Sequence, residues 1–228
     1  MIKAVIAAGG KGTRIASVDP NVPKPMMKVA GKPVLVHQIE CLRRQGMTDI
    51  VITIGHLGDV IKNALNDGHE LGVNITYIEE KEPLGTAGAL YYLRGTADSP
   101  FLLLNGDIIF DVDIARFAAA HERYGGLVTV LTHPNDHPYD SGLISTDGNG
   151  KVTEWLHKED KRGWRFNRVN AGLHMISPRL LDRLSAPVKT DLDRDLLRPL
   201  IAEGELYAYD TPEYVKDMGT PERIRETE

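Results

Sequence analysis

The chain has 228 residues, 42% hydrophobic and 26% charged, the ordinary balance of a folded globular protein with a sizeable core. Its formal net charge of -5 argues against a general nucleic-acid binder, which leans on excess Lys and Arg, but leaves room for a local phosphate pocket. Cys41 is the single cysteine, so neither an intrachain disulfide nor a cysteine-based zinc site can be built; no apolar run approaches the roughly 18 residues of a membrane helix, and the short run after Met1 does not make a signal-peptide core, so a soluble, cytoplasmic protein is expected.

Ala4–Ala8 is a short continuous apolar run ending in glycines, which suits a strand buried on both faces of a parallel sheet. From Pro33 to Arg44, Leu35, Ile39 and Leu42 recur at helical spacing, with Gly46 just beyond as a stop. Ile50–Ile54 reads as a second strand and Asp59–Leu65 as a second helix. Val73–Ile78, Ala87–Leu93 and Phe101–Leu104 repeat strand, helix, strand. Alternation of this kind with short connections predicts a doubly wound, mostly parallel sheet, with ligands at the carboxyl ends of the strands.

The second half reads differently. Leu127–Thr132 and Gly142–Ser145 are expected strands, and Asp147-Gly148-Asn149-Gly150 is a strong turn signal before a returning strand at Val152–Leu156. Val169–Ile176 is another strand, and short helices follow around Leu180 and Leu196. No repeat, low-complexity segment, linker or hexapeptide β-helix pattern is present, so one domain is expected, with a nucleotide half at about 1–126 and a second half at about 127–228.

The loop after the first strand reads Ala8-Gly9-Gly10-Lys11-Gly12-Thr13-Arg14. Three glycines let the backbone turn sharply and present N–H groups to an anion. Their spacing fits neither the G-x-G-x-x-G dinucleotide fingerprint nor a P-loop. Cations stand nearby instead: Lys11, Arg14 and, between two prolines, Lys24. Taken alone the loop could be a tight turn with solvated basic residues. With Pro23-Lys24-Pro25-Met26 it resembles the signature of the sugar-1-phosphate nucleotidyltransferases, along essentially the whole chain.

That resemblance implies a Rossmann-like α/β fold of GT-A type: a mixed, mostly parallel sheet flanked by helices, with a small β-hairpin lobe on the sugar side. It implies an enzyme that joins a nucleoside triphosphate to a sugar 1-phosphate and releases pyrophosphate. By the same resemblance Arg14 would bind the triphosphate at the reacting centre and Lys24 would neutralise charge, with Ala8, Gly9, Gly10, Gly12 and Thr13 around the nucleotide. Leu84-Gly85-Thr86-Ala87 resembles the segment that lies against the base, which makes Gly85 and Thr86 candidate base contacts; the plainer reading is a strand-to-helix turn with Thr86 as N-cap.

Asp107 follows the fourth strand at the ligand edge, where a carboxylate suits a hard cation bridging phosphates. Asp217, in Lys216-Asp217-Met218-Gly219, matches the family's second carboxylate, and the pair would hold Mg²⁺. Asp111-Val112-Asp113 looks like the DxD of nucleotide-sugar glycosyltransferases, but Asp113 is expected to cap the helix from Ile114.

On the sugar side, Lys158 fits the family's Glu-Lys-Pro lysine, while His157 and Glu159 depart from that pattern. Asn170-Ala171-Gly172 resembles the strand that approaches the sugar, or is simply a strand with a bulge glycine. Gly142 closes the polar segment His133–Gly142, which reads as a structured loop rather than a zinc cluster. The segment is most similar to the D-glycero-D-manno-heptose 1-phosphate branch, where GTP is the usual donor; mannose 1-phosphate is the neighbouring acceptor, and glucose-1-phosphate uridylyl or thymidylyl transfer is the alternative. A glycosyltransferase and a non-catalytic nucleotide-sugar-binding regulator stay open as other classes. The implied partners are the two small-molecule substrates, with no nucleic acid or membrane, and a homodimer stays open.

Overall fold

Short apolar runs become the buried strands of one sheet. The computed structural model describes residues 3–10, 19–135, 142–157, 160, 163, 166–218, 220 and 223. In chain order these form β1 (Ala4–Ala7), β2 (Lys28–Val29), β3 (Lys32–Pro33), α1 (Val34–Arg44), β4 (Asp49–Ile54), α2 (Gly58–Leu65), β5 (Asn74–Glu79), β6 (Phe101–Asn105), β7 (Ile108–Asp111) and α3 (Ile114–Tyr124). Then follow β8 (Val128–His133), β9 (Leu143–Thr146), β10 (Val152–Leu156), β11 (Val169–Ile176), α4 (Pro199–Glu203), β12 (Leu206–Asp210) and β13 (Tyr214–Asp217).

The parallel part of the sheet runs β6-β1-β4-β5, with Val5 level with Val51 on one side and Leu103 on the other. Both faces are covered, which is why these strands read as continuous apolar runs rather than alternating ones. One face packs Ile6 and Leu104 under Leu35, Ile39 and Leu42 of α1 and Phe117 of α3. The other packs Val5, Leu103 and Phe101 under Leu90, Leu180 and Leu197. Full burial of each such side chain stabilises the fold by roughly 1.5–3 kcal/mol.

The second half joins the same sheet through β11, which lies antiparallel to β6 with Leu173 opposite Leu104 and Ile176 opposite Phe101. β8 pairs with β11 and with β12, and the β9–β10 hairpin continues the order to give nine strands among the described residues. The expected hairpin is present: Asp147 Oδ1 accepts from the N–H groups of Asn149 at 2.8 Å and Lys151 at 2.9 Å, and Gly150 takes a positive φ of 81°. It extends the sheet edge rather than standing apart from it.

Three expectations change. The segment read as a helix over Ala87–Leu93 is a 3-10 turn, Gly88–Leu93. Gly88 lies so close to the Val188 carbonyl that no side chain fits between them, and the main-chain N–H of Ala87 is drawn to Thr190 O at 3.0 Å. The helices around Leu180 and Leu196 are a 3-10 turn, Pro178–Arg183, and a π-helical turn, Leu192–Leu197, that runs into α4. The β2–β3 hairpin, β7, β12 and β13 had no counterpart in the sequence reading.

Candidate functional site

The carboxyl ends of β1, β5 and β6 open into a pocket of about 400 Å³. Its lining includes Ala8, Gly9, Gly10, Lys24, Glu80, Gly85, Thr86, Asn105 and Asp107, drawn from stretches far apart in the chain. The first wall is the end of β1. Ala8 N–H donates to Thr53 O and Gly106 N–H to Ala7 O, both at 2.9 Å, so the strand stays paired up to the glycines. Gly10 has open space around its Cα, whereas a Cβ on Gly9 would overlap Glu80.

Lys24 and Asp107 stand side by side in the pocket lining. Lys24 opens a short 3-10 turn in which Met26 N–H bonds Pro23 O at 2.8 Å, and Pro25 and Met26 are buried. The prolines fix the main chain on both sides of Lys24, and its ammonium forms an ion pair with Asp107 Oδ2. Asp107 sits in the turn between β6 and β7. Gly106 lets that turn nest: a Cβ there would lie 2.8 Å from Ala7 O and 3.2 Å from Pro25 Cγ.

The opposite wall is Leu84–Ala87. Thr190 clasps it from both sides, with Thr190 N–H donating to Leu84 O at 2.9 Å and Ala87 N–H donating to Thr190 O. Gly85 has φ +77°, and a Cβ on it would lie 2.5 Å from Thr190 O. Thr86 Oγ1 accepts from Leu192 N–H at 2.6 Å. The Thr86 hydroxyl therefore anchors the segment entering the π-helical turn and is not an N-cap, and Ala87 and Gly88 N–H groups are already bonded.

Asp217 lies outside the pocket lining but close to Asp107 along the β7–β13 ladder. Asp217 is level with Ile108, and Met218 N–H donates to Asp107 O at 2.7 Å. Its Oδ1 pairs with Arg223 Nη1 at 2.6 Å. The two carboxylates offer hard oxygen donors, both partly open to solvent, and each already accommodates a positive group, so they fit a divalent ion such as Mg²⁺. Among the described residues no group of three or more His, Cys, Asp or Glu side chains is placed to hold a metal. Two carboxylates leave coordination positions for phosphate oxygens and water.

Other candidates sit elsewhere. Asn170 Oδ1 accepts from Gly172 N–H at 3.0 Å, which closes the bulge in β11, and Gly172 (φ +78°) leaves space for the Asn105 amide, 2.8 Å from where its Cβ would be. Neither residue lines the pocket, but Asn105 does. Gly142 lies against the buried indole of Trp155, and a Cβ there would stand 2.7 Å from Nε1. His157 stacks on Trp155 with ring centres 6.3 Å apart, and its main-chain N–H donates to Asp160 Oδ2. Gly12, Thr13, Arg14 and Lys158, like Lys11, Glu159 and the loop 136–141, lie outside the described residues.

Asp113 caps α3, its Oδ1 accepting from Arg116 N–H at 3.0 Å, and Asp111 is exposed opposite Tyr214 on β13. Neither lines that pocket, and among the described residues they belong to no group of three or more His, Cys, Asp or Glu side chains placed to hold a metal.

Comparison with known proteins decides the family. A family profile described as Nucleotidyl transferase matches residues 3–228. The chain belongs to the nucleotidyl transferase family.

Relatives of this nucleotidyl transferase include the mannose-1-phosphate guanyltransferases of Saccharomyces cerevisiae, 33% identical over 224 residues, and of Schizosaccharomyces pombe, 32% identical over 224 residues. Each alignment covers 96% of this chain but 62% and 61% of those proteins, so the chain spans about three-fifths of their length. HddC from Yersinia pseudotuberculosis has a similar structure, with a TM-score of 0.86 and 27% identity over 100% of this chain and 98% of that one. The structure of HddC complexed with GMP-PN gives a TM-score of 0.83 at 26% identity, with the same coverage of both chains.

Among the pocket residues that sequence reasoning passed over in this family member, Glu80 is the charged one. Glu80 follows β5, and its Oε2 accepts from Leu84 N–H at 3.0 Å. Burial raises its carboxyl pKa above the usual value, partly offset by that bond. Its signal in the sequence is slight: it is one of four charged residues in Glu79-Glu80-Lys81-Glu82, and only the fold separates it from the others.

Proposed function

We propose that this chain transfers a guanylyl group from GTP to a manno-configured sugar 1-phosphate, heptose or mannose, forming a nucleotide sugar and pyrophosphate. The observation that carries the reading is the pocket in which Gly9-Gly10, the Lys24–Asp107 pair and Gly85-Thr86 meet at one sheet edge. The names of the guanyltransferase relatives and the GMP-PN complex of HddC support the same donor.

The chemistry is in-line displacement at the α-phosphorus by a sugar-phosphate oxygen. That oxygen is already anionic near neutral pH, so a general base is unnecessary. The obstacle is the mutual repulsion of two phosphate esters where water is excluded. Lys24, on a main chain set by its prolines, supplies positive charge beside Asp107. Arg14 is assigned the triphosphate and Lys158 the sugar phosphate on the family resemblance, and together these cations pre-position the partners. Asp107 and Asp217 would hold Mg²⁺, which when bound neutralises triphosphate oxygens and orients the leaving pyrophosphate.

Glu80 is assigned the base. An ionised carboxylate can accept from guanine N1–H and its 2-amino group together, whereas the carbonyls flanking uracil N3–H, or the bare N3 of cytosine, would repel it. On this reading the reaction runs in the cytosol, in a single nucleotidyltransferase domain with its nucleotide half at about 1–126 and its sugar half at about 127–228, as a monomer or a homodimer.

The test offers GTP, ITP, UTP, dTTP, CTP and ATP against heptose, mannose and glucose 1-phosphates with Mg²⁺ and follows pyrophosphate release. GTP with a manno-configured sugar is the expected best pair, and adding pyrophosphate to the product should regenerate GTP. Preference for dTTP or UTP with glucose 1-phosphate would overturn the substrate reading while leaving the reaction class in place.

A further inference from the structure

The turn that carries Asp107 is gripped from beneath by a side chain of α1. Gln38 is 1% exposed, and its amide nitrogen donates to Asn105 O and to Ile108 O, each at 2.8 Å. Those carbonyls belong to the first and last residues of Asn105-Gly106-Asp107-Ile108, so one carboxamide spans the whole turn. The middle is held from other sides, by Gly106 N–H on Ala7 O and by Met218 N–H on Asp107 O.

The amide oxygen of Gln38 is buried and has no hydrogen-bond partner among the described residues. A buried acceptor left without a donor costs about 1–3 kcal/mol. An apolar side chain would avoid that cost, and the neighbouring core positions of α1, Leu35, Ile39 and Leu42, are apolar. What distinguishes Gln38 is a pair of neutral N–H donors aimed at two carbonyls of one turn. Glutamate, of the same size, would set a negative oxygen against both.

We propose that Gln38 is a positioning residue: through its two hydrogen bonds it fixes the Asn105–Ile108 turn so that the Asp107 carboxylate enters the pocket at the place needed to bind the divalent ion. The inference rests on the reading of Asp107 as a metal ligand given under Proposed function. Groups that hold a metal ligand in place without touching the metal typically change metal affinity by 10–100-fold when removed. No titration is involved, and the effect is geometric.

The experiment measures Mn²⁺ binding to substrate-free enzyme by the electron paramagnetic resonance signal of free Mn²⁺, at a temperature where circular dichroism shows every variant folded. Wild type, D107N, Q38M, Q38E and I39V are compared. Q38M keeps the length of the side chain and removes the unpaired oxygen along with the donors, and I39V loosens the next position of the same helix without touching the turn. D107N is expected to lose binding, Q38M and Q38E to weaken it about 10-fold or more, and I39V to leave it unchanged. In turnover, Q38M should raise the Mg²⁺ concentration for half-maximal rate with an unchanged KM for the sugar phosphate.

Mn²⁺ binding by Q38M equal to wild type, with D107N impaired, would overturn the proposal and leave Asp107 as a ligand. Weakening by I39V as large as that by Q38M would overturn it in favour of general loosening of the helix. Equal binding by D107N and wild type would remove the metal reading of Asp107 itself, and this proposal with it.

Discussion

Gly9 and Glu80 occupy adjoining space in the pocket: a Cβ on the glycine would overlap the carboxylate oxygen Oε1 and stand 3.0 Å from Cδ. The atoms in the way are the end of a flexible side chain, so G9A should cost little stability, within about 0.5–1 kcal/mol. It should nevertheless push the carboxylate off its present position. Preference for GTP over ITP, read as the ratio of kcat/KM values, is expected to fall at least tenfold in G9A and in E80Q. E80Q keeps an acceptor for Leu84 N–H, so its loss of preference would report on the base and not on the loop. A ratio unchanged in both variants would remove Glu80 from base recognition.

The opposite wall gives a contrasting outcome. At Gly85 the obstacle is main chain, Thr190 O, and the φ of +77° is unfavourable for any side chain. G85A should therefore destabilise by about 2 kcal/mol or more. T86V removes the acceptor for Leu192 N–H and should cost about 1–3 kcal/mol, whereas T86S retains it and should melt near wild type. For a chain of this size each kcal/mol lowers Tm by roughly 2–4 °C, which thermal denaturation resolves.

Lys24 both neutralises Asp107 and, on the proposed mechanism, serves the reacting phosphates. K24M is thus expected to split two readouts. Turnover should drop on the order of 10²-fold, as when other electrostatic stabilisers are removed. Mn²⁺ affinity should hold or rise, because the ammonium no longer competes for the carboxylate. A parallel loss of metal affinity and turnover would mean that the pair acts as one structural unit.

Two desolvated groups, the buried His174 and the half-buried Asp193, give opposing pH dependences. Burial lowers the imidazole pKa of His174 on β11 from 6.5 to about 4, with a Leu103 main-chain contact acting the other way. Burial, then the nearby Asp191 carboxylate, raises the Asp193 carboxyl from 3.8 to about 6. Between about pH 6.5 and 4 the unfolded chain takes up a proton at His174 that the folded chain refuses, so stability falls as pH falls. Between about pH 6 and 3.8 the folded chain protonates Asp193 first, so that contribution rises as pH falls. D193N should therefore melt higher than wild type above pH 6, where a buried charge is removed, and lose Tm more steeply between pH 6 and 4, where His174 acts unopposed. Parallel Tm profiles would show that Asp193 is not held in a desolvated site.

Elements that bury both faces or one clear stripe were readable without coordinates. β1, β4, β6 and α1 follow from apolar runs and helical spacing because burial alone dictates them. β7 and β13 did not, since each has four residues of mixed burial and they pair across about a hundred positions, a contact with no local signature. The 3-10 form of Gly88–Leu93 was hidden for the same reason: Thr190 and Val188, from the far half of the chain, determine it. In the pocket, Gly9 and Gly10 announced themselves by composition, and Lys24 by its prolines. Glu80 and Gln38 looked like ordinary polar residues, because their roles lie in partners brought near only by folding.

The sheet that begins at β5 runs through β6 to β11, and one residue pair, Val169 with Leu143, carries it on to the hairpin of β9 and β10. The hydrogen-bonded strands from β5 to β11 tie the first half of the chain to the second within one framework. On the proposed function, crosslinks tying α1 to α3 beneath that framework should therefore leave catalysis intact.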